Sequence, residues 1–178
     1  MKKMGFIKEW EVISFMLRNL EETPRSVLIR GTATEPVLKD RIKYKIKNAK
    51  NTLYIAVQVI DTELLREIID ALNRRVDVKM VIATPKKKWF EYTRDARGLA
   101  LKELNKFLKV RVKEDLHCRM LIVDENVIVG SMDLDRQGLT VHDNIAIETN
   151  DPTVVERAKE EFNRIFQESK DLRILETP

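Results

Sequence analysis

One cysteine, two histidines, five glycines and five prolines are all that a chain of 178 residues contains, and aromatic residues make up only 6% of it. The lone Cys118 has no partner for an internal disulfide or a multi-cysteine metal cluster, which excludes zinc-ribbon and dithiol chemistry and predicts a reducing compartment. So little glycine and proline leaves no Gly/Ser linker or low-complexity tract, and no internal repeat is present. No uncharged stretch reaches the roughly 18 residues of a membrane span. The opening Met1-Lys2-Lys3-Met4-Gly5 runs into a segment broken by Lys8, Glu9 and Glu11, without the apolar centre of a secretory signal, and predicts a cytoplasmic protein. The phosphate-loop, dinucleotide-fold, zinc-protease and serine-hydrolase signatures (GxxxxGK[ST], GxGxxG, HExxH, GxSxG) are missing as well.

What is present is 43% hydrophobic residues beside 35% charged ones. That balance describes a soluble globular protein with a dense ionic surface. At this length one compact domain is expected, burying roughly 70% of its unfolded surface. The net charge of +4 is mild but unevenly spread. Pro85 to Arg119 holds eleven Lys or Arg against five Asp or Glu, whereas His142 to Pro178 holds five against nine. A basic region favours an anionic partner such as nucleic acid or phosphate, and is equally the solvated face of an ordinary element. Abundant Glu and Lys with few Cys, His and Gln resembles the surface of a thermophile's protein.

Ile7, Trp10, Ile13, Phe15, Met16, Leu17 and Leu20 recur at helical spacing, so residues 7–22 read as an amphipathic helix for packing or dimer contact, stopped before Pro24. Ser26 to Arg30 is a short strand, and Thr34-Glu35-Pro36 a cap with Pro in the first turn of a helix to about Asn48. Thr52 to Ile60 is a nearly continuous apolar run; Asp61 or Thr62 caps a helix through Asn73; Val76 to Ala83 is a second run. This is a βαβ unit, and runs apolar on both faces require helices on both sides of the sheet. Pro85-Lys86-Lys87-Lys88-Trp89-Phe90 opens a basic lid, followed by a helical pattern to Phe107. Strands are expected at Val110 to Val112, Arg119 to Val123 and Val127 to Val129, the last two joined by a tight turn at Asp124-Glu125-Asn126. A loop from Ser131 to Val141 leads to a strand at Asn144 to Glu148. Asp151-Pro152 starts a final helix with Val154, Val155, Ala158, Phe162, Ile165 and Phe166 on its inner side. The expected division is an N-terminal helix over 1–25, a domain over 26–170, and a frayed tail over 171–178.

Polar residues stand at both mouths of the otherwise apolar hairpin. Residues 117 and 119 of an extended segment point the same way, which puts the imidazole of His117 beside the guanidinium of Arg119. With the hairpin paired, Ser131 and Asp133 come close to both. A nucleophilic imidazole next to a fixed cation and hydroxyl or backbone donors suits attack on a phosphodiester, whose negative charge must be held while phosphorus is attacked. Each residue also has a plainer role. His117 is otherwise a structural or surface histidine, Arg119 an ion-pair residue, and Gly130-Ser131 a turn. Cys118 points away from His117 and is an inert thiol.

At these residues the chain resembles the phospholipase D superfamily, whose signature is H-x-K, four residues, D, six residues, then G-S-x-N. His117, Asp124, Gly130 and Ser131 match. Arg119 stands for the lysine, Asp133 for the final Asn, and five residues instead of six separate Asp124 from Gly130. His142-Asp143-Asn144 resembles the family's downstream acidic residue plus Asn. The resemblance runs over roughly residues 35 to 168 and implies an α/β fold, a mixed sheet with helices on both faces. It further implies that His117 forms a phospho-histidine, Arg119 and Ser131 hold phosphate oxygens, Asp143 orients an imidazole, and Asp124 supports the site. Gly130, Asp133 and Asn144 would line the ligand site. Family sites combine two such motifs about a two-fold axis. A chain with one therefore implies a homodimer, the second His117 serving as general acid. No metal or other cofactor is called for. Lys86, Lys87, Lys88 and Trp89, with Phe90 and Tyr92, would meet a nucleic-acid backbone and its bases.

Two substitutions argue in another direction. Arginine is forked and bulkier than lysine, and Asp133 adds a negative charge where an anionic substrate would sit unless it pairs with Arg119. The chain also resembles the effector domain of archaeal TrmB-like transcriptional regulators, through Val27 to Gly31, Lys47 to Lys50, Thr52 to Ala56, Leu121 to Asp124 and the closing helix. That resemblance implies a catalytically inactive domain binding a small ligand, often a sugar.

Overall fold

The structure, a computed structural model, describes residues 25–32, 34–60, 62–84, 105–106, 108 and 110–172. The amphipathic segment 7–22, the basic lid with Lys86, Lys87, Lys88 and Trp89, Asp61 and the last six residues lie outside the described residues.

The long apolar runs become the centre of one sheet. β1 (Ser26–Gly31) precedes α1 (Val37–Asn48); β2 (Thr52–Val57), α2 (Thr62–Asn73) and β3 (Asp77–Ala83) follow. β4 (Val110–Lys113), β5 (Met120–Val123) and β6 (Asn126–Gly130) lead to a short α3 (Arg136–Thr140). β7 (Asn144–Thr149), α4 (Pro152–Glu168) and β8 (Lys170–Asp171) complete the chain. The eight strands lie in the order β1-β7-β6-β5-β2-β3-β4-β8. β2, β3 and β4 run parallel and the remaining pairs antiparallel, which makes the sheet mixed.

Strand side chains alternate between faces, so β2 sends Leu53, Ile55 and Val57 to one side and Tyr54 and Ala56 to the other. On the first side α1 lays down Leu38, Ile42 and Ile46, one residue per turn and all fully buried, beside Leu64, Leu65, Ile68 and Ala71 of α2. On the second, α4 buries Val155 and Phe162, with Phe162 stacked on Tyr54 at 5.0 Å between centroids. Val154, expected inward, is 47% exposed. It sits one position off the stripe set by Val155 and Phe162, a rotation of about 100° on a helix.

The ends show where local chemistry decides. The Asp151 carboxylate accepts from the N–H groups of Thr153 (2.9 Å) and Val154 (3.3 Å), with Pro152 in the first turn, as expected. At α1 the expected cap is displaced: Pro36 itself holds the cap position, without a side-chain bond, and Thr32 Oγ1 takes the Glu35 N–H at 3.0 Å. The loop after Ser131 contains α3, in which the Gly138 N–H donates to Asp135 Oδ1 at 2.8 Å. The expected fraying does not begin at residue 171. Asp171 pairs with Arg111 and Lys170 with Val112, and Leu172 is fully buried. No helix among the described residues is long and apolar enough to cross a membrane.

Candidate functional site

One end of the sheet gathers the carboxyl ends of β2, β3 and β6 and the amino ends of β5 and β7, and the residues joining them are polar. Ligands of α/β sheets collect at such strand ends. His117 is exposed in the segment entering β5. Its Nε2 lies 3.5 Å from Arg119 Nη1. Arg119 Nη2 donates to Asp133 Oδ2 at 3.0 Å and to Gln58 Oε1 at 2.6 Å, while the buried Nε has no hydrogen-bond partner among the described residues. Asp133 does more than neutralise Arg119: its Oδ1 accepts the N–H groups of Gln58 (3.1 Å) and Val59 (3.4 Å), closing the end of β2. The negative charge introduced at this position is thus paired and hydrogen-bonded, which is what a largely buried carboxylate requires.

Beside this cluster Ser131 Oγ donates to Asn144 Oδ1 at 2.7 Å and accepts the Ile145 N–H at 3.2 Å. Asn144 is buried, and its amide donates to the carbonyls of Gly138 (2.7 Å) and His142 (3.3 Å). Gly130 is required by close approach: a Cβ there would stand 2.5 Å from the Ile145 carbonyl oxygen and 2.8 Å from Ala146 Cβ. Two clefts flank the Gln58–Arg119–Asp133 bridge. One, of about 350 Å³, is lined by Gln58, Ala83, Thr84, Asp115, Leu116 and His117. The other, of about 260 Å³, has Arg119, Ser131, Asp133, His142 and Asn144 on its walls. Among the described residues no group of three His, Cys, Asp or Glu is arranged to hold a metal ion.

The expected residues therefore divide. His117, Arg119, Gly130, Ser131, Asp133 and Asn144 come together. Asp124 does not: it occupies the turn at the opposite end of the β5–β6 hairpin, with φ of 52°. There its carboxylate accepts the N–H groups of Asn51 (2.7 Å), Thr52 (3.0 Å) and Lys50 (3.0 Å). Burial alone would raise its pKa, but the three backbone donors hold it below the usual carboxylate range. Asp143 pairs with Arg30 of β1 at 2.7 Å on the exposed edge. Cys118 turns into the α4 side of the core, and burial pushes its thiol pKa up, against the pull of neighbouring Arg119. Gln58 was not among the expected residues. The signal available was a lone amide at the carboxyl end of an apolar strand.

A family model for the cardiolipin synthase, PLD-like domain matches residues 42–166. Comparison with curated proteins gives no match. Among solved structures, NucT from Helicobacter pylori has a TM-score of 0.71 at 14% identity, covering 84% of this chain and 100% of its own. Nuc from Salmonella typhimurium, a phospholipase D family member, has 0.70 at 20%, covering 84% and 98%. TrmBL2, an archaeal chromatin protein with a novel mode of DNA binding, has 0.61 at 22%, covering 92% and 61%. At these identities the likeness is one of fold.

Proposed function

We propose that this chain, which belongs to the phospholipase D-like family, is a nuclease-like phosphodiesterase that works through a phospho-histidine on His117 at a site shared by two subunits. The observation that carries the reading is the exposed His117 imidazole, with Arg119 Nη1 3.5 Å away and the Ser131–Asn144 pair across the bridge. In the first step an imidazole nitrogen attacks phosphorus, the P–N bond forms, and the P–O ester bond breaks. The leaving oxygen takes its proton from the second subunit's imidazole, while Arg119 and Ser131 hold the charge on the phosphoryl oxygens. In the second step water attacks phosphorus and gives its proton back to that imidazole. The P–N bond breaks, releasing a phosphomonoester and the free histidine.

The shared site needs a surface for the second copy, and apolar side chains exposed on the α4 side of the sheet support that part of the reading. Leu28, opposite Ile147, and Ile147, opposite Val129, are 69%, 52% and 47% exposed, and Ile145 beside them is 53% exposed. This patch starts at the wall of the site, since the Ile145 N–H is bonded to Ser131. Ile147→Asp is expected to give monomers in sedimentation and to lose turnover.

The direct test is hydrolysis of bis(p-nitrophenyl) phosphate and of single-stranded DNA without added metal, by the native chain and by His117→Ala. Activity present in the first and lost in the second supports the reading. A second reading, ligand binding without turnover as in a regulator's effector domain, has the Arg119–Asp133 pair in its favour, because that pair leaves little free positive charge for a phosphate. A folded dimer with no turnover decides for it.

A further inference from the structure

We infer that Gln58 is a positioning residue of this site, fixing which edge of the Arg119 guanidinium faces His117; the inference rests on the phosphodiesterase reading. Gln58 follows the last residue of β2 and uses both ends of its amide and its own backbone N–H. Oε1 accepts from Arg119 Nη2 at 2.6 Å, Nε2 donates to the Leu116 carbonyl at 3.2 Å, and the N–H donates to Asp133 Oδ1 at 3.1 Å. The amide's orientation is dictated by its partners, because a guanidinium has no acceptor and a carbonyl no donor. One neutral residue thereby ties three segments: its side chain holds Arg119 and the residue before His117 to the end of β2, and its backbone N–H holds the loop bearing Asp133.

Two consequences follow for the chemistry. Arg119 Nη2 is occupied by Gln58 and Asp133, so Nη1 is the nitrogen turned toward His117. Holding the Leu116 carbonyl fixes the peptide plane from which His117 projects. A neutral acceptor also leaves Arg119 balanced by one carboxylate. A second carboxylate would make the cluster net negative and repel an anionic diester. Only an amide donates to Leu116, accepts from Arg119 and adds no charge. Glutamate keeps the second property alone, and leucine keeps only the third.

The test uses Gln58→Leu and Gln58→Glu in the full chain, each first shown to melt as a folded protein. Gln58→Leu is expected to lower kcat on bis(p-nitrophenyl) phosphate by about 10²-fold, the loss typical of a slightly misplaced reacting group. Gln58→Glu is expected to raise KM about tenfold at low salt, the size of effect one added nearby charge produces near a protein surface, with much of the rise removed by high salt. A merely structural role moves neither the kcat-against-KM split nor its salt dependence. A second readout is independent of turnover. The Arg119 guanidinium ¹⁵N signals are expected to show hindered rotation in the native chain and faster rotation in Gln58→Leu, where Asp133 alone still holds Nη2. Kinetic constants of both folded variants matching the native chain, or an unchanged Arg119 signal, overturns the inference. A native chain without turnover refutes the phosphodiesterase reading instead, and the guanidinium signal still decides the tether.

Discussion

Replacing Asp124 is expected to cost stability and leave the chemistry of the folded protein alone. The carboxylate accepts N–H groups from Lys50, Asn51 and Thr52, which pins the β5–β6 turn to the start of β2. Hydrogen bonds to a charged group are worth about 1.5–3 kcal/mol, but these share one partly exposed carboxylate, so about 2 kcal/mol for the set is the reasonable figure. The φ of 52° adds a second effect, since an ordinary side chain in the left-handed region costs about 1 kcal/mol where Asp, Asn and Gly are tolerated. Asp124→Ala loses both contributions, about 3 kcal/mol. Asp124→Gly relieves the backbone and loses about 2, and Asp124→Asn, which keeps an acceptor and the turn, about 1 kcal/mol. Urea unfolding with constant slope measures the series, and turnover per folded molecule is measured beside it. Because the folded pKa lies below the unfolded value, the carboxylate's contribution is present above about pH 3.9 and lost as pH falls through the folded pKa. The gap between the native chain and Asp124→Asn should close accordingly. An Asp124→Ala protein as stable as the native one, or folded but as inactive as His117→Ala, refutes the reasoning.

Glu148 is a buried carboxylate 2.6 Å from Arg41 and 2.7 Å from Lys45; Glu148→Ala should cost about 3 kcal/mol in denaturant unfolding, the low end for breaking a buried pair because Arg41 can turn to water. Burial raises the Tyr54 pKa to about 12, aided by its bond to Asp77, so its neutral form favours the fold; stability should fall between about pH 10 and 12, and Tyr54→Phe should remove that component of alkaline unfolding. Gly130→Ala forces a Cβ against β7, and should lower both melting temperature and turnover by pushing Ser131 away from Asn144.

The centre of the fold was legible because burial on both faces writes itself as continuous apolar runs: Thr52–Val57 and Asp77–Ala83 are parallel neighbours, as the βαβ pattern required. The hairpin was legible from two short apolar runs about a turn, and with it the meeting of His117, Arg119, Ser131 and Asp133. What could not be read depends on pairings between distant segments. Asp143 meets Arg30 because β1 lies antiparallel to β7, 113 positions away in sequence. Asp124 belongs to the signature pattern, yet a period-two strand carries it to the far end from His117. Gln58 is a single polar residue within the apolar run Thr52 to Ile60, and its role shows only when Leu116 and Arg119 are brought against it. β8 has only two residues, too few for any pattern to announce them.

The central claim is that His117 becomes covalently bound to phosphorus, and the most direct measurement is to trap that bond. The native protein is mixed with a phosphodiester substrate, quenched in alkaline denaturant where a P–N bond survives, and digested for mass spectrometry. A peptide carrying His117 and heavier by the transferred phosphoryl ester is expected, absent from His117→Ala. Turnover with no adduct on His117, or an adduct on another residue, would contradict it.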